Sequence, residues 1–378
     1  MDNILSTALT FDDVLLKPGY SGFDRSDISL TTYITKNISL SCPIVSSPMD
    51  TVTEAPLAIA LGALGGLGFI HRNLTIPDQV TEVKKAKKAG YRVGAAVGSS
   101  SGYEERVAAL VKAHVDIILI DSAHGYSKKV VDAVKYAKKH FDVDVIAGSV
   151  ATAEGAEALI KAGVDGLRVG MGPGAICSTR IVSGMGVPQL TAILDSVRVA
   201  SGHNVPVIAD GGIKYSGDVV KALAAGASTV MFGRLFAATK ESPGTVHELP
   251  AAQVPSRFQS IVDGSSKTYA FKTYRGMGSV GAMERGKSIS SEDEFHGKSF
   301  TGEALIAEGV EGLVPCSGTV KQLVDQMIGG VTSGLYYVGA KTIQELWGKT
   351  VFMQITQASL VESHPHDLFI TDSGGNYS

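Results

Sequence analysis

Short apolar runs recur along the chain near residues 44–47, 67–70, 92–96, 116–120, 144–147, 166–169, 207–209 and 229–232. They are apolar throughout rather than alternating, which suits parallel strands covered on both faces. The stretches between them are rich in Ala, Lys and Glu. Several of these, such as 78–89 and 154–162, repeat their apolar positions with a period of about 3.6, the mark of a helix with one buried face. Eight strand–helix units predict an α/β protein built as a closed (β/α)8 barrel. A count of seven or nine, or a doubly wound open sheet, is the competing reading.

Two regions fall outside the repeat. Residues 1–40 form a leading segment with a short hairpin expected in it. Residues 240–318 are polar and rich in Gly and Ser, with little helix or strand pattern. So long a stretch is expected to be an insert that carries active-site loops and a mobile flap. Helical pattern returns at 320–328 and 342–347, so residues 1–378 read as a single catalytic domain.

Composition narrows the function classes. With 378 residues, 44% hydrophobic and 19% charged, the chain can bury a large core. A formal net charge of -3 gives no basic field for nucleic acid. The apolar runs are strand-sized, too short to span a bilayer, and the start Met1-Asp2-Asn3 lacks a signal-peptide pattern. Three cysteines without a CxxC pair argue against a disulfide framework and a structural zinc, and point to a reducing cytoplasm.

The residues that carry chemistry cluster at one end of the predicted strands. Asp121-Ser122-Ala123-His124-Gly125 follows the fourth strand and Gly148-Ser149 the fifth. A glycine-rich run from Gly170 to Arg180 follows the sixth, Asp210-Gly211-Gly212 the seventh and Gly233-Arg234 the eighth. Barrel enzymes build their sites at these carboxyl ends, and the last two loops commonly hold phosphate. Glycines there expose backbone N–H groups, and a helix start at Ser216-Gly217-Asp218 adds its positive end. Alternatively, the glycines only form tight turns. Cys177 lies in the glycine-rich loop with Thr179 and Arg180 close behind; free donors and a nearby cation favour a nucleophilic thiolate. The alternative is a small buried hydrophobe, the reading given to Cys42, while Cys316 has no evident partner. His124 stands alone. In His364-Pro365-His366-Asp367 the proline forbids a regular helix face for a metal, and the lysines of 84–88 read as a solvated face.

The segments LTFDDVLLKP (9–18), SSPMDTVTE (46–54), DSAHG (121–125), GMGPGAICSTRIVSGMGVPQ (170–189), IADGGIKYSGDVVKALAAGAS (208–228) and YRGMGSVGAM (274–283), with the closing ESHPHD and NYS, resemble the IMP dehydrogenase and GMP reductase family. The resemblance spans nearly the whole chain in the family's order. It implies that Cys177 attacks C2 of a purine nucleoside monophosphate, giving an adduct that exchanges hydride with NAD or NADP. It places Asp210 on the ribose hydroxyls. Gly212, Gly233 and Tyr274 fall at the phosphate, and Gly276 and Gly278 at the base. Asp121 and Ser122 face the cofactor, and Thr179 with Glu308 relays protons. The carbonyls of Gly172, Gly174 and Cys177 match a monovalent-cation site, usually K⁺. A homotetramer in the cytoplasm, acting on IMP, XMP or GMP without nucleic acid or membrane, completes the expectation.

Four departures matter. Residues 71–92 leave no room for the CBS module that many dehydrogenases insert there. Residues 290–296 (SSEDEFH) lack the Arg-Tyr pair with which dehydrogenases activate water. Ala175 and Arg234 stand where serines are usual, and Arg234 can still grip phosphate with its fork. The 245–266 segment is longer than the family's hairpin. Oxidation of IMP to XMP is therefore the first reading. Reduction of GMP to IMP with ammonia release is the second, and a non-catalytic purine nucleotide-binding protein the third.

Overall fold

The computed structural model describes residues 7–289, 306–368 and 370, with the backbone of 294–295 and 298–299. The residues expected to form the flap, 290–293 and 296, and the NYS tail lie outside the described residues. Eight parallel strands close into a barrel: β1 (Ile44–Ser46), β2 (Leu67–Ile70), β3 (Val93–Val97), β4 (Ile117–Asp121), β5 (Asp144–Val150), β6 (Gly166–Val169), β7 (Val207–Asp210) and β8 (Thr229–Phe232). Each pairs with the next, and β8 pairs with β1 in register Met231 to Val45. The helices that follow them are α1 (Ala55–Gly62), α2 (Ile76–Lys88), α3 (Tyr103–Lys112), α4 (Lys128–His140), α5 (Ala153–Ala162), α6 (Gln189–Ala200), α7 (Ser216–Ala224) and α8 (Val320–Val338). The expected (β/α)8 barrel is thus observed, and between β2 and β3 stands α2 alone.

Local chemistry fixes these elements. Thr75 caps α2 by accepting the Asp78 N–H, and Lys85, Lys87 and Lys88 in its last turn meet the negative end of the helix dipole. Thr152 caps α5, which stops at Gly163 in the left-handed conformation (φ +102°). β2, β3 and β4 are buried along their whole length, because the barrel interior covers one face and the helices the other.

Inside the barrel, Val45, Leu67, Phe69, Ile117, Leu119, Ile146, Ile208 and Met231 form a separate apolar cluster. The expected hairpin (Thr32–Tyr33 with Ser39–Leu40) closes its amino end, adding Ile34 and Leu40. Thr35 and Asn37 tie that hairpin to Asp144 at the start of β5. At the opposite end, Leu9 exchanges hydrogen bonds with Thr191 of α6, and the Phe11 carbonyl accepts Lys221 Nζ of α7.

The insert after β8 corrects the sequence reading. It holds an antiparallel sheet of β9 (Val246–Pro250), β10 (Thr268–Arg275) and β11 (Glu311–Pro315), and a helix, Val280–Ser288. The pattern hid them for physical reasons. β9 is largely exposed, β11 begins Glu-Gly and ends in Pro, and β10 buries a lysine where a strand pattern expects an apolar residue. That lysine, Lys272, donates to the carbonyls of Thr239 (2.8 Å) and Ser242 (2.5 Å) and so pins the sheet to the barrel.

Phe69 is fully buried in the inner cluster. Phe69→Ala is expected to lower the unfolding free energy by about 3–5 kcal/mol, measured as an earlier chemical-denaturation midpoint. A loss below about 1 kcal/mol would show that the inner cluster contributes little to stability.

Candidate active site

The carboxyl ends of the strands surround a cavity of about 290 Å³. Its shape depends on places where a side chain would not fit. A Cβ on Gly170 (φ +146°) would lie 2.1 Å from the Asp210 carbonyl oxygen, so only glycine brings the loop after β6 onto the end of β7. A Cβ on Gly211 (φ +92°) would meet Pro173 at 2.9 Å, so the Asp-Gly-Gly turn packs on the same loop.

Three segments distant in sequence are tied together at Cys177. Ile176 O accepts the Val310 N–H, Ser178 N donates to Glu308 O, Gly276 N donates to Val310 O, and Glu308 N donates to Gly278 O, each at 3.0 Å. The Cys177 N–H closes a turn onto Gly174 O, also at 3.0 Å. The thiol is left exposed to the cavity, which sets aside the buried-hydrophobe reading. Its Sγ is 3.2 Å from Thr179 Oγ1, which donates to Glu308 Oε2 at 3.1 Å. Thr179 is buried, so sulfur, hydroxyl and carboxylate form one short proton path.

Arg180 departs from the expectation of a cation activating the thiol. It donates to the carbonyls of Met171 and Val187, 3.2 and 2.7 Å away, and clasps the two ends of the loop. By contrast, Cys42 is the core residue expected, and burial pushes its thiol up to about 11.

Gly212 (φ +79°), Gly233, Arg234 and Tyr274, expected at a phosphate, also line the cavity. The Tyr274 hydroxyl is 2.9 Å from where a Gly233 Cβ would be, so the glycine gives the phenol its place. Burial, and then the charge of Asp210, push the Tyr274 phenol above its usual range while Arg234 draws it back. Gly276, Gly278 and Glu308 line the cavity too, with Gly172 and Gly174.

Asp210 and Asp121 also line it, and both are engaged. Asp121 pairs with Arg168 Nη1, and its other oxygen lies 3.4 Å from Arg72 Nε. Arg168 Nε lies 3.0 Å from Asp210 Oδ2. Burial raises the Asp210 carboxyl, an effect Arg168 partly opposes. Ser122 stands apart from the lining residues: its backbone exchanges hydrogen bonds with Gly148 and Ser149, and its hydroxyl donates to the His124 carbonyl. Sequence reasoning passed over Arg168, although an arginine inside an otherwise apolar strand was a visible signal.

It also missed a clamp under the Tyr274 loop. Arg275 grips the fully buried Asp50 carboxylate through Nε (3.1 Å) and Nη2 (2.5 Å), and Asn73 joins Asp50 to the Ala282 carbonyl.

A family model described as the IMP dehydrogenase / GMP reductase domain matches residues 8–366. The inosine-5'-monophosphate dehydrogenase of Borreliella burgdorferi is 43% identical, over 97% of this chain and 99% of the relative. Its namesake in Cryptosporidium parvum is 41% identical over 99% and 98%. The one in Aquifex aeolicus is 39% identical over 99% and 98%, in an alignment of 503 positions that must contain insertions relative to this chain. The chain belongs to the IMP dehydrogenase / GMP reductase family.

The clamp gives the site of this family member a pH signature. Burial alone would raise the Asp50 carboxyl, but hydrogen bonds and charge from Arg275, with His71 and Asn73, leave it below the ordinary range. A carboxyl held down by folding stabilises the protein fully above its unfolded value of about 3.9. That stability is lost as the pH falls through the lower folded value. Asp50→Asn is therefore expected to be destabilised most at neutral pH. Its urea midpoint should converge on that of the parent below about pH 4; a gap that stays constant from neutral to acid pH would contradict the clamp.

Proposed function

We propose that the protein oxidises IMP to XMP: IMP, NAD⁺ and water give XMP, NADH and a proton. The observation that carries this is the open thiol of Cys177, backed by Thr179 and Glu308, in a cavity whose far end is built from glycine turns. The family and the relatives named as IMP dehydrogenases support oxidation.

In this reading the phosphate is held by the N–H groups of Gly212 and Gly233, the Tyr274 hydroxyl and the fork of Arg234. Asp210 accepts the ribose hydroxyls, and Gly276 and Gly278 touch the base. Cys177 sulfur bonds to C2 of the purine as its proton passes to Thr179 and on to Glu308, and the C2=N3 π pair moves onto N3. NAD⁺, when held at Asp121, would supply the acceptor for the hydride that leaves C2 as the N3 electron pair re-forms the C2=N3 bond. Cys177 then holds the oxidised base until a water adds at C2 and the carbon–sulfur bond breaks. Residues 290–296 hold no Arg-Tyr pair, so Glu308, once it has released the thiol's proton to solvent, takes that water's proton through Thr179 and returns it to the departing sulfur. Asp121 in the cavity wall fits a cofactor ribose hydroxyl, and the relatives named as IMP dehydrogenases favour NAD over NADP. The carbonyls of Gly172 and Cys177 accept no hydrogen bond among the described residues, and the Gly174 carbonyl accepts one. These oxygens suit a hard cation such as K⁺, which would stiffen the cysteine loop.

Ile181, Val182 and Met185 expose apolar side chains beside that loop, a surface for a neighbouring copy in a homotetramer. Among the described residues no helix is long and apolar enough to cross a membrane. The unpaired cysteines accord with a cytoplasmic setting.

Purified protein with K⁺ should form NADH from IMP and NAD⁺ and leave NADPH untouched with GMP; the opposite pattern would assign the reductase direction. Cys177→Ala should abolish turnover while retaining nucleotide binding. Thr179→Val should lower kcat by about 10²–10⁴, with little change in the KM for IMP. Absence of both reactions from the parent, with IMP affinity kept in Cys177→Ala, would favour the binding-protein reading.

A further inference from the structure

Arg168 is the one charged residue of β6, and its side chain is only 12% exposed in the cavity wall. β5 lies between β6 and β4, so Arg168 must cross a strand to reach Asp121. Gly148 of β5 allows the crossing. A Cβ there would fall 2.8 Å from Arg168 Cβ and 2.3 Å from its carbonyl oxygen. A single guanidinium thereby serves carboxylates from β4 and β7. Its contact with Asp121 is a hydrogen-bonded ion pair. Its Nε contact with Asp210, 3.0 Å long, lacks hydrogen-bond alignment and is the looser of the two.

We propose that Arg168 is a positioning residue that couples the two ligands, so that nucleotide at Asp210 tightens the binding of dinucleotide at Asp121. The inference rests on the functional reading above for which ligand each aspartate meets. The two carboxylates share the Arg168 cation in a wall that excludes most water, where such contacts are strong. Arg72 also approaches Asp121, at 3.4 Å, but Arg168 is the link between the two carboxylates. Ribose hydroxyls donating to Asp210 stabilise its charge and weaken its hold on the guanidinium. The looser contact yields first, and the cation settles on Asp121. Asp121, gripped by Arg168 on one oxygen and approached by Arg72 on the other, is then held ionised in one orientation in the cavity wall. By linkage, dinucleotide tightens nucleotide binding by the same factor. The planar fork of arginine can bridge two carboxylates at once, whereas a lysine offers one compact charge on a flexible stem.

Calorimetric titration of Cys177→Ala protein with NAD⁺, without and with saturating IMP, reads the coupling with no chemistry following. IMP is expected to tighten NAD⁺ about 5- to 20-fold, within the usual range for linked sites. Arg168→Lys in the same background should bring that factor below about 2, even if each separate affinity also changes. Asp121→Asn, which keeps the shape but removes the charge, should also abolish the factor, and it decides the matter if the lysine variant fails to fold. Thermal midpoints recorded for each protein identify such a failure. A factor undiminished in the folded variants, or absent from the parent, overturns the coupling and leaves both binding sites standing. A parent that binds neither ligand overturns the functional reading beneath it.

Discussion

Cys177 sits where residues 176–178 exchange main-chain hydrogen bonds with residues 308–310, which in turn bond to Gly276 and Gly278. No side chain takes part in this braid, so backbone geometry sets the main chain of Cys177, and the Arg180 clasp and the Thr179 hydroxyl complete the placing of the sulfur. Backbone-to-backbone packing of this kind requires missing side chains. A Cβ on Gly276 would come 3.2 Å from Gly309 Cα, and one on Gly309 would come 3.2 Å from Ser279 N. The glycines of this region thus do more than turn the chain, because they let three loops approach closely enough to share hydrogen bonds. The same approach delivers Glu308 to Thr179, so the thiol and the carboxylate are fixed by one set of contacts.

That dependence explains which features could be read in the sequence. The barrel was legible because its strands are buried on both faces and so are apolar without interruption. The face that carries the site was legible because Asp121, Cys177, Asp210 and Gly233 each stand at or just past a strand's end. The antiparallel sheet of the insert was not, since β10 and β11 lie far apart in sequence and β10 carries Lys272 as a buried anchor. The role of Arg180 was misjudged for a related reason. Spacing puts it near Cys177, but only the folded loop shows that the carbonyls of Met171 and Val187 claim its donors. Likewise the motif that includes Ser122 is at the cavity, while Ser122 itself is turned into the pairing with β5.

Buried charge is handled in two distinct ways around the cavity. Asp50 is matched by a single arginine with fork geometry and by an amide, and it ends more acidic than an exposed carboxyl. Such a pair is rigid, and it holds the chain on either side of Gly276 in place. Asp210 shares its cation with Asp121 and ends less acidic. A carboxylate with an incompletely aligned partner keeps lone pairs available for a ligand's hydroxyls. The tighter pair therefore suits structure and the looser one suits binding.

β10 shows how these demands meet in a single element. Its alternate residues Lys272 and Tyr274 are both buried, the first anchored on carbonyls after β8 and the second beside Gly233. Two residues apart on a strand, they point to the same side. The lysine therefore sets the depth at which the tyrosine hydroxyl enters the cavity. Burial lowers the lysine's affinity for its proton, yet Nζ has carbonyl acceptors at 2.5, 2.8 and 3.4 Å for its three hydrogens. An ammonium so satisfied can remain charged without a carboxylate beside it, because desolvation is offset by hydrogen bonds to the charged form. The next residue, Arg275, ends the strand in the Asp50 clamp. An insert that carries almost no sequence pattern is thus held rigid at the point where Tyr274 enters the cavity.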